Sequence, residues 1–332
     1  MRVLRLVAVL AAGAAVLLPI GLSATAGASS IQPAGFTDLH WTLGNPVPNP
    51  HLEGTVATVK SNVYDITGGA GDCSDGSGLP ATTDVDVYNT TSNSWSSAAA
   101  IPNARDEDPV AAVVGKNIYV VGGITGCGGT TVTAVDVYST KTNTWSTLPA
   151  ASDLPAAFNG NEHCGAALGK NVYYFDNGDI GVLNTAASPP SWTVLTGYSA
   201  LSPSSFCSAV KYKTSIVIVG AGDGGPDAFS QRVIVFTPAT GAMVVQPETT
   251  VPYAEQSVAL IKGSVVVVDG DFSPNSVQIV SIKKATVVTA SNTPEIRDDA
   301  GGAGFVKNVV YVVGGEAGVA NRHPHVLIGT PI

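Results

Sequence analysis

Short apolar runs recur along the whole chain, each bounded by glycine, asparagine or aspartate. The stretch from Arg105 to Pro149 shows one unit complete. A polar segment, Arg105-Asp106-Glu107-Asp108, leads into Val110-Ala111-Ala112-Val113-Val114, the turn Gly115-Lys116-Asn117, and Ile118-Tyr119-Val120-Val121 closing on Gly122-Gly123. After a Gly-rich loop come Val135-Asp136-Val137-Tyr138, the turn Ser139-Thr140-Lys141-Thr142-Asn143, and Trp145. β-Branched and aromatic runs between such turn residues predict strands, and nothing in the unit has a helical period. Four strands per unit are therefore expected.

Tyr138 and Trp145 flank one tight turn, which places them on the two arms of a hairpin. The same spacing gives Tyr88 with Trp95 and, in degenerate form, Phe236 with Met243 and Val280 with Val287. Trp192 marks a third copy. The glycine pair, or its replacement, falls at Gly68-Gly69, Gly122-Gly123, Asp176-Asn177, Gly220-Ala221, Asp269-Gly270 and Gly314-Gly315. Six units follow. One such sheet leaves a face uncovered, so it has to stack on its copies.

This pattern resembles the kelch repeat over essentially the whole chain beyond its first residues. The resemblance implies an all-β fold, a six-bladed kelch-type β-propeller with four antiparallel strands per blade around a central channel. After the last glycine pair only His325-Val326-Leu327-Ile328 remains as a strand, while Phe36-Thr37-Asp38-Leu39-His40-Trp41 carries a tryptophan with no strands before it. A segment at about 36–43 is expected to complete blade six and close the ring. A single propeller over 29–332 is predicted.

Arg2 and Arg5, an apolar run from Leu6 to Leu18, and the small residues Ala24-Thr25-Ala26-Gly27-Ala28 form the pattern of a secretory signal peptide, placed at 1–28. An uncleaved anchor is the alternative, which the short run disfavours. Losing the two arginines makes a formal charge of −9 two units more negative, which argues against a nucleic-acid surface. A secreted, extracellular monomer with no membrane insertion after cleavage is expected.

Four cysteines in an exported chain, Cys73, Cys127, Cys164 and Cys207, predict two disulfides. On a propeller, Cys73 and Cys127 fall in loops after the second strands of successive blades. Cys164 and Cys207 fall near the starts of the next two innermost strands, so all four face one rim. Cys73 with Cys127 and Cys164 with Cys207 is the favoured pairing. Cys127 with Cys164 also joins neighbouring blades and stays open.

That rim gathers the candidate chemistry. The lead-ins to the six inner strands carry His51 and Glu53, then Arg105, Asp106 and Glu107, then Glu162 and His163, then Phe206, then Tyr253 and Glu255, then Arg297, Asp298 and Asp299. Arg105, Asp106, Glu107, Glu162, His163, Tyr253, Glu255, Arg297 and Asp298 make up the expected ligand-binding rim. Asp72, Asp179, Asp223, Asp271 and Glu316 follow second strands, where aspartates read as Asx turns. Arginine offers a planar fork to carboxylates, so a peptide acid or acidic sugar fits, unless the arginines are locked in ion pairs with Asp106 and Asp298 beside them.

The expected function is a binding or interaction module for an extracellular carbohydrate, peptide or protein, with no catalytic residue and no cofactor assigned. The alternative is an extracellular enzyme acting on sugars. By resemblance to exported six-bladed kelch mutarotases of sialic acid, Glu107, Glu162, His163 and Glu255 stand where protons could be shuttled at an anomeric carbon. Galactose oxidase and its relatives hold copper on the axis beside a cysteine cross-linked to a tyrosine on the next inner strand. Cys207 and Tyr253 match those positions, but the Tyr-His dipeptide of that family is absent. His323 and His325, lacking a carboxylate or thiolate partner in sequence, read as surface residues.

Overall fold

Each short strand can bury its apolar face only against a neighbouring sheet, and the fold is the closed solution to that requirement. The computed structural model describes residues 35–70, 80–198, 206–220, 231–297, 302–316 and 322–332. The expected signal peptide, Cys73, Asp72, Asp223, Asp298 and Asp299 lie outside the described residues. The propeller belongs to a unit running from Pro33 to Ile332.

Among the described residues, 24 strands form six four-stranded antiparallel sheets. The chain begins with β1 (Leu39–Leu43) and continues into blade one, β2 (Thr55–Val59), β3 (Asn62–Ile66), β4 (Val85–Asn89) and β5 (Ser94–Ser97). Blade two is β6 (Val110–Val114), β7 (Asn117–Val121), β8 (Asp136–Ser139) and β9 (Thr144–Thr147). Blade three is β10 (Cys164–Leu168), β11 (Asn171–Asp176), β12 (Asp179–Asn184) and β13 (Ser191–Leu195). Blade four is β14 (Ser208–Tyr212), β15 (Ser215–Val219), β16 (Val233–Thr237) and β17 (Ala242–Val245). Blade five is β18 (Ser257–Ile261), β19 (Ser264–Val268), β20 (Val277–Ser281) and β21 (Thr286–Thr289). Blade six is β22 (Gly302–Val306), β23 (Val309–Val313) and β24 (Leu327–Pro331), with β1 pairing outside β24. The inner strands β2, β6, β10, β14, β18 and β22 touch in sequence, and β22 returns to β2. The closing segment therefore acts as expected.

The aromatic pairs are register partners. Tyr88 lies opposite Trp95 and Tyr138 opposite Trp145, with ring centroids 5.2 and 5.0 Å apart. Phe236 faces Met243 and Val280 faces Val287 in the same positions. Each of the chain's four tryptophans also donates its indole N–H to a carbonyl in the segment joining two blades. Trp95 bonds Asn45, Trp145 bonds Ala99, Trp192 bonds Ser152, and Trp41 bonds Ser291. A ring that packs as apolar wedge and donates one bond at its edge fixes both the distance and the angle between blades.

Between blades the core is aliphatic and aromatic. Ile66 and Tyr64 of blade one meet Ile118, Val120 and Tyr138 of blade two, and the same kind of layer recurs around the ring. A buried polar residue near the start of three third strands ties the lead-in segment to the outer strand. Asp86 accepts from Asn49 and Ser97, Asp136 from Asn103 and Thr147, and Gln278 bonds Thr250 and Thr289.

The glycine pairs mark close backbone approach. Gly68 has φ +115°, and a Cβ there would fall 2.4 Å from the Leu52 carbonyl oxygen. Gly123, at φ +80°, leaves 2.8 Å to the Asp106 oxygen. In blade three the expected replacement Asp176-Asn177 is divided: Asp176 ends β11 opposite Asp179, and Asn177-Gly178 form a two-residue hairpin with both φ angles positive, so β11 and β12 join with no longer loop between them.

Candidate functional site: the polar mouth of the channel

The inner strands all start at one end of the channel, and the residues just before them form a belt. Glu53, Asp108, Glu162, Phe206 and Glu255 occupy equivalent places and all have positive φ, between 46° and 58°. Left-handed backbone turns each lead-in sharply towards the axis. Successive blades are then joined by backbone hydrogen bonds: Asp108 N–H to Glu53 O, Glu162 to Glu107, Phe206 to Glu162, and Glu255 to Phe206. Four of the five side chains at these places are carboxylates.

The arginines do not belong to this surface. Arg105 and Arg297 are 0% exposed and point back into their blades. Arg105 Nη2 donates to Asp136 at 2.5 Å, Nη1 to the Gly122 carbonyl at 3.0 Å, and Nε to Asn103 O. Arg297 repeats the clamp, with Nη1 on the Gly314 carbonyl at 2.6 Å and Nη2 on Glu295 and on His325 O. Both forks reach the first glycine of a pair. Arg105 pairs with Asp136 and not with the adjacent Asp106, and Arg297 pairs with Glu295; Asp298 lies outside the described residues. Burial disfavours the charge on both guanidiniums, and the facing carboxylate opposes that shift.

Glu295 is a hub. Besides Arg297 it accepts from His325 Nδ1 at 2.8 Å and lies 3.3 Å from His323 Nδ1. Burial opposes its ionisation, but these partners hold its carboxyl below the usual range. His323 and His325 thus have the carboxylate partner that sequence reasoning did not find, because Glu295 lies in the preceding segment.

Asp106 and Tyr253 are also withdrawn. Tyr253 is fully buried, and its hydroxyl oxygen accepts a hydrogen bond from Ser276 Oγ at 2.8 Å. Burial pushes the Asp106 carboxyl up to about 7, against the opposing pull of the Glu107 N–H, the Glu53 carboxyl and His51. His51 sits in the place that Arg105 holds in blade two, 3.6 Å from Asp65 and 3.9 Å from Asp84. Burial opposes its protonation, yet the surrounding aspartates keep it above the ordinary imidazole range.

Of the expected rim residues, His163 and Glu255 line the mouth itself, a cavity of about 110 Å³. Glu107 and Glu162 are half-buried on the belt around it. Asp108, Thr55, Ser208, Gln256 and Ser257 complete the polar wall. His163 is held by Asn159 at 2.6 Å and by Asp176 at 3.2 Å. Gln256 Oε1 and Ser257 Oγ are buried with no hydrogen-bond partner among the described residues.

Cys164 and Cys207 form a disulfide in the wall of this mouth and join blades three and four. Cys127 is disulfide-bonded too, and Cys73, its expected partner, lies outside the described residues. The bond to Cys164 consumes the Cys207 sulfur that a thioether to Tyr253 would need, and Tyr253 is engaged by Ser276. The copper-oxidase reading therefore fails on these residues' own chemistry.

Among the described residues no helix is long and apolar enough to cross a membrane. Residues 108–151 match the Kelch motif. No curated protein matches the chain. A solved structure of YjhT is similar, with a TM-score of 0.67 at 16% identity over 85% of this chain and 95% of that one, a likeness in fold alone. With a Kelch motif matched in blade two, its Tyr–Trp pair repeated in blade one and kept in degenerate form in blades four and five, and six blades closed by β1, the chain is a kelch-type β-propeller.

Proposed function

We propose that this protein is an exported interaction module that seats a cationic group, the lysine, arginine or amino terminus of a peptide or protein, on the polar mouth of its channel. The observation that carries this reading is the sign of the mouth. Glu53, Asp108, Glu162 and Glu255 surround it, while Arg105 and Arg297 are fully buried with their forks committed. A carboxylate ligand would meet like charge there, and a cation would meet complementary charge. Export is supported by the leader pattern at 1–28 and by the Cys164–Cys207 bond.

The test is binding of the mature chain to a lysine- and arginine-rich peptide, an aspartate- and glutamate-rich peptide and a neutral oligosaccharide, at low and high salt. The basic peptide binds, salt weakens it, and the isosteric pair Asp108→Asn with Glu162→Gln reduces affinity by about tenfold. Equal binding of the acidic peptide or of the neutral oligosaccharide would sink the proposal.

A second reading, an enzyme on reducing sugars, is favoured by one observation: His163 and Glu255 face one cavity. Accelerated anomer exchange by the mature chain, lost in Glu255→Gln, would put this reading in place of the first.

A further inference from the structure

The other end of the channel has the opposite character. Every hairpin joining a first to a second strand carries a lysine: Lys60, Lys116, Lys170, Lys213, Lys262 and Lys307. Lys211 adds a seventh from β14. All seven are exposed, the six hairpins contain no aspartate or glutamate, and no ion pair of the described residues includes any of them. Turn geometry does not explain the choice. Lys60, Lys213, Lys262 and Lys307 have positive φ, where glycine or asparagine would sit at lower cost.

Inside this ring lies a cavity of about 470 Å³, within the range of about 300–1,000 Å³ typical of small-molecule sites. Its wall nearest the lysines is Thr58, Val113, Ala167, Lys211, Leu260 and Phe305, with Phe305 42% exposed. Deeper in, Val56, Ala111, Gly165, Ala209, Val258 and Ala303 form a collar shared with the polar mouth. None of these six is larger than valine, so the inner strands leave the axis hollow.

We propose that this end of the channel binds a single-chain anionic amphiphile of the fatty-acid type, with its chain in the well and its carboxylate on the lysine ring. Walls that are mostly apolar remove the chain from water, and cations at the rim, with no anion in the six hairpins, set the sign of the head. The site opens at the end opposite the acidic mouth and meets it only at the collar, and its assignment does not rest on what binds at the mouth.

The experiment is calorimetric titration of the mature chain with octanoate, decanoate and dodecanoate below their micelle concentrations, with decyltrimethylammonium as control. One equivalent binds saturably, affinity rises about fourfold per methylene, and the cation does not bind. Reversing Lys60, Lys170, Lys213 and Lys307 to glutamate leaves the well intact and weakens dodecanoate by about tenfold or more. Ala167→Phe, which fills the well, abolishes binding; if it fails to fold, the charge reversal carries the test. The Asp108→Asn, Glu162→Gln protein binds dodecanoate unchanged. No saturable binding, equal affinity for the cation, or undiminished affinity in the folded charge-reversed protein would overturn the proposal.

Discussion

Trp41 and Ser291 are 250 residues apart in sequence, yet the Trp41 indole N–H donates to the Ser291 carbonyl at 3.3 Å. Trp95, Trp145 and Trp192 make the same bond in blades one to three. The closing strand is therefore held by the device used inside the ring. Trp41→Ala should lower stability by about 2 kcal/mol, less than a fully buried tryptophan would cost because the ring is half-exposed. Urea unfolding followed by tyrosine fluorescence measures it. Deleting residues 35–43 leaves β24 as an open edge, and light scattering should show concentration-dependent association.

Arg105 and Asp136 are both 0% exposed, so removing one partner strands the other charge in the core. Arg105→Ala should cost about 3–5 kcal/mol, and Arg105→Met with Asp136→Leu should recover a large part of that loss. Denaturation midpoints of the two variants decide it. A single variant as stable as the parent would show that the pair is not buried.

The Cys164–Cys207 bond closes a separation of 43 residues across two blades. Replacing both cysteines with serine should lower stability by about 2–4 kcal/mol. Reduction of the parent protein should shift its melting temperature in the same direction. Peptide mapping without reduction should recover the two cysteines in one linked fragment.

Stability should fall as pH rises from about 5 to 8. Burial raises the carboxyl of Asp106 to about 7 and that of Asp269 to about 7, and it raises Asp65 as well. The folded state therefore binds more protons than the unfolded chain between the ordinary carboxylate range and about 7, and that stabilisation is lost as pH rises through the folded values. His51, raised by its aspartates, acts in the same sense. Glu295 and Asp38 are lowered, so what they contribute is lost only in acid. Melting temperature should be higher at pH 5.5 than at pH 8, and Asp106→Asn with Asp269→Asn should flatten the slope.

The blades were legible in sequence because the residues that define them are local. Tyr88 and Trp95 meet across a single hairpin, and the glycine pairs of blades one and two mark close approaches of chain to chain. The degenerate pairs Phe236 with Met243 and Val280 with Val287 kept the spacing after losing the aromatics, so the count of six survived. The roles of the arginines were not legible, since Arg105 meets Asp136 only once the third strand has folded over it. A signal was present in Asn103-Ala104-Arg105 followed by an aspartate near the start of the third strand, the same combination that Asn49, His51 and Asp86 show in blade one. The lysine in every first hairpin was also visible, but a lysine in one turn looks like ordinary solvation. Its meaning depends on the six turns meeting around one axis.

The separation of charge along that axis makes the molecule a vector. Carboxylates surround one end of the channel and seven ammonium groups ring the other. In a negative field, within a Debye length of about 10 Å at moderate salt, the torque on this charge distribution turns the lysine end towards the source, while the net charge of −9 repels the molecule as a whole. The direction of that torque is written into the hairpins rather than into the mouth itself.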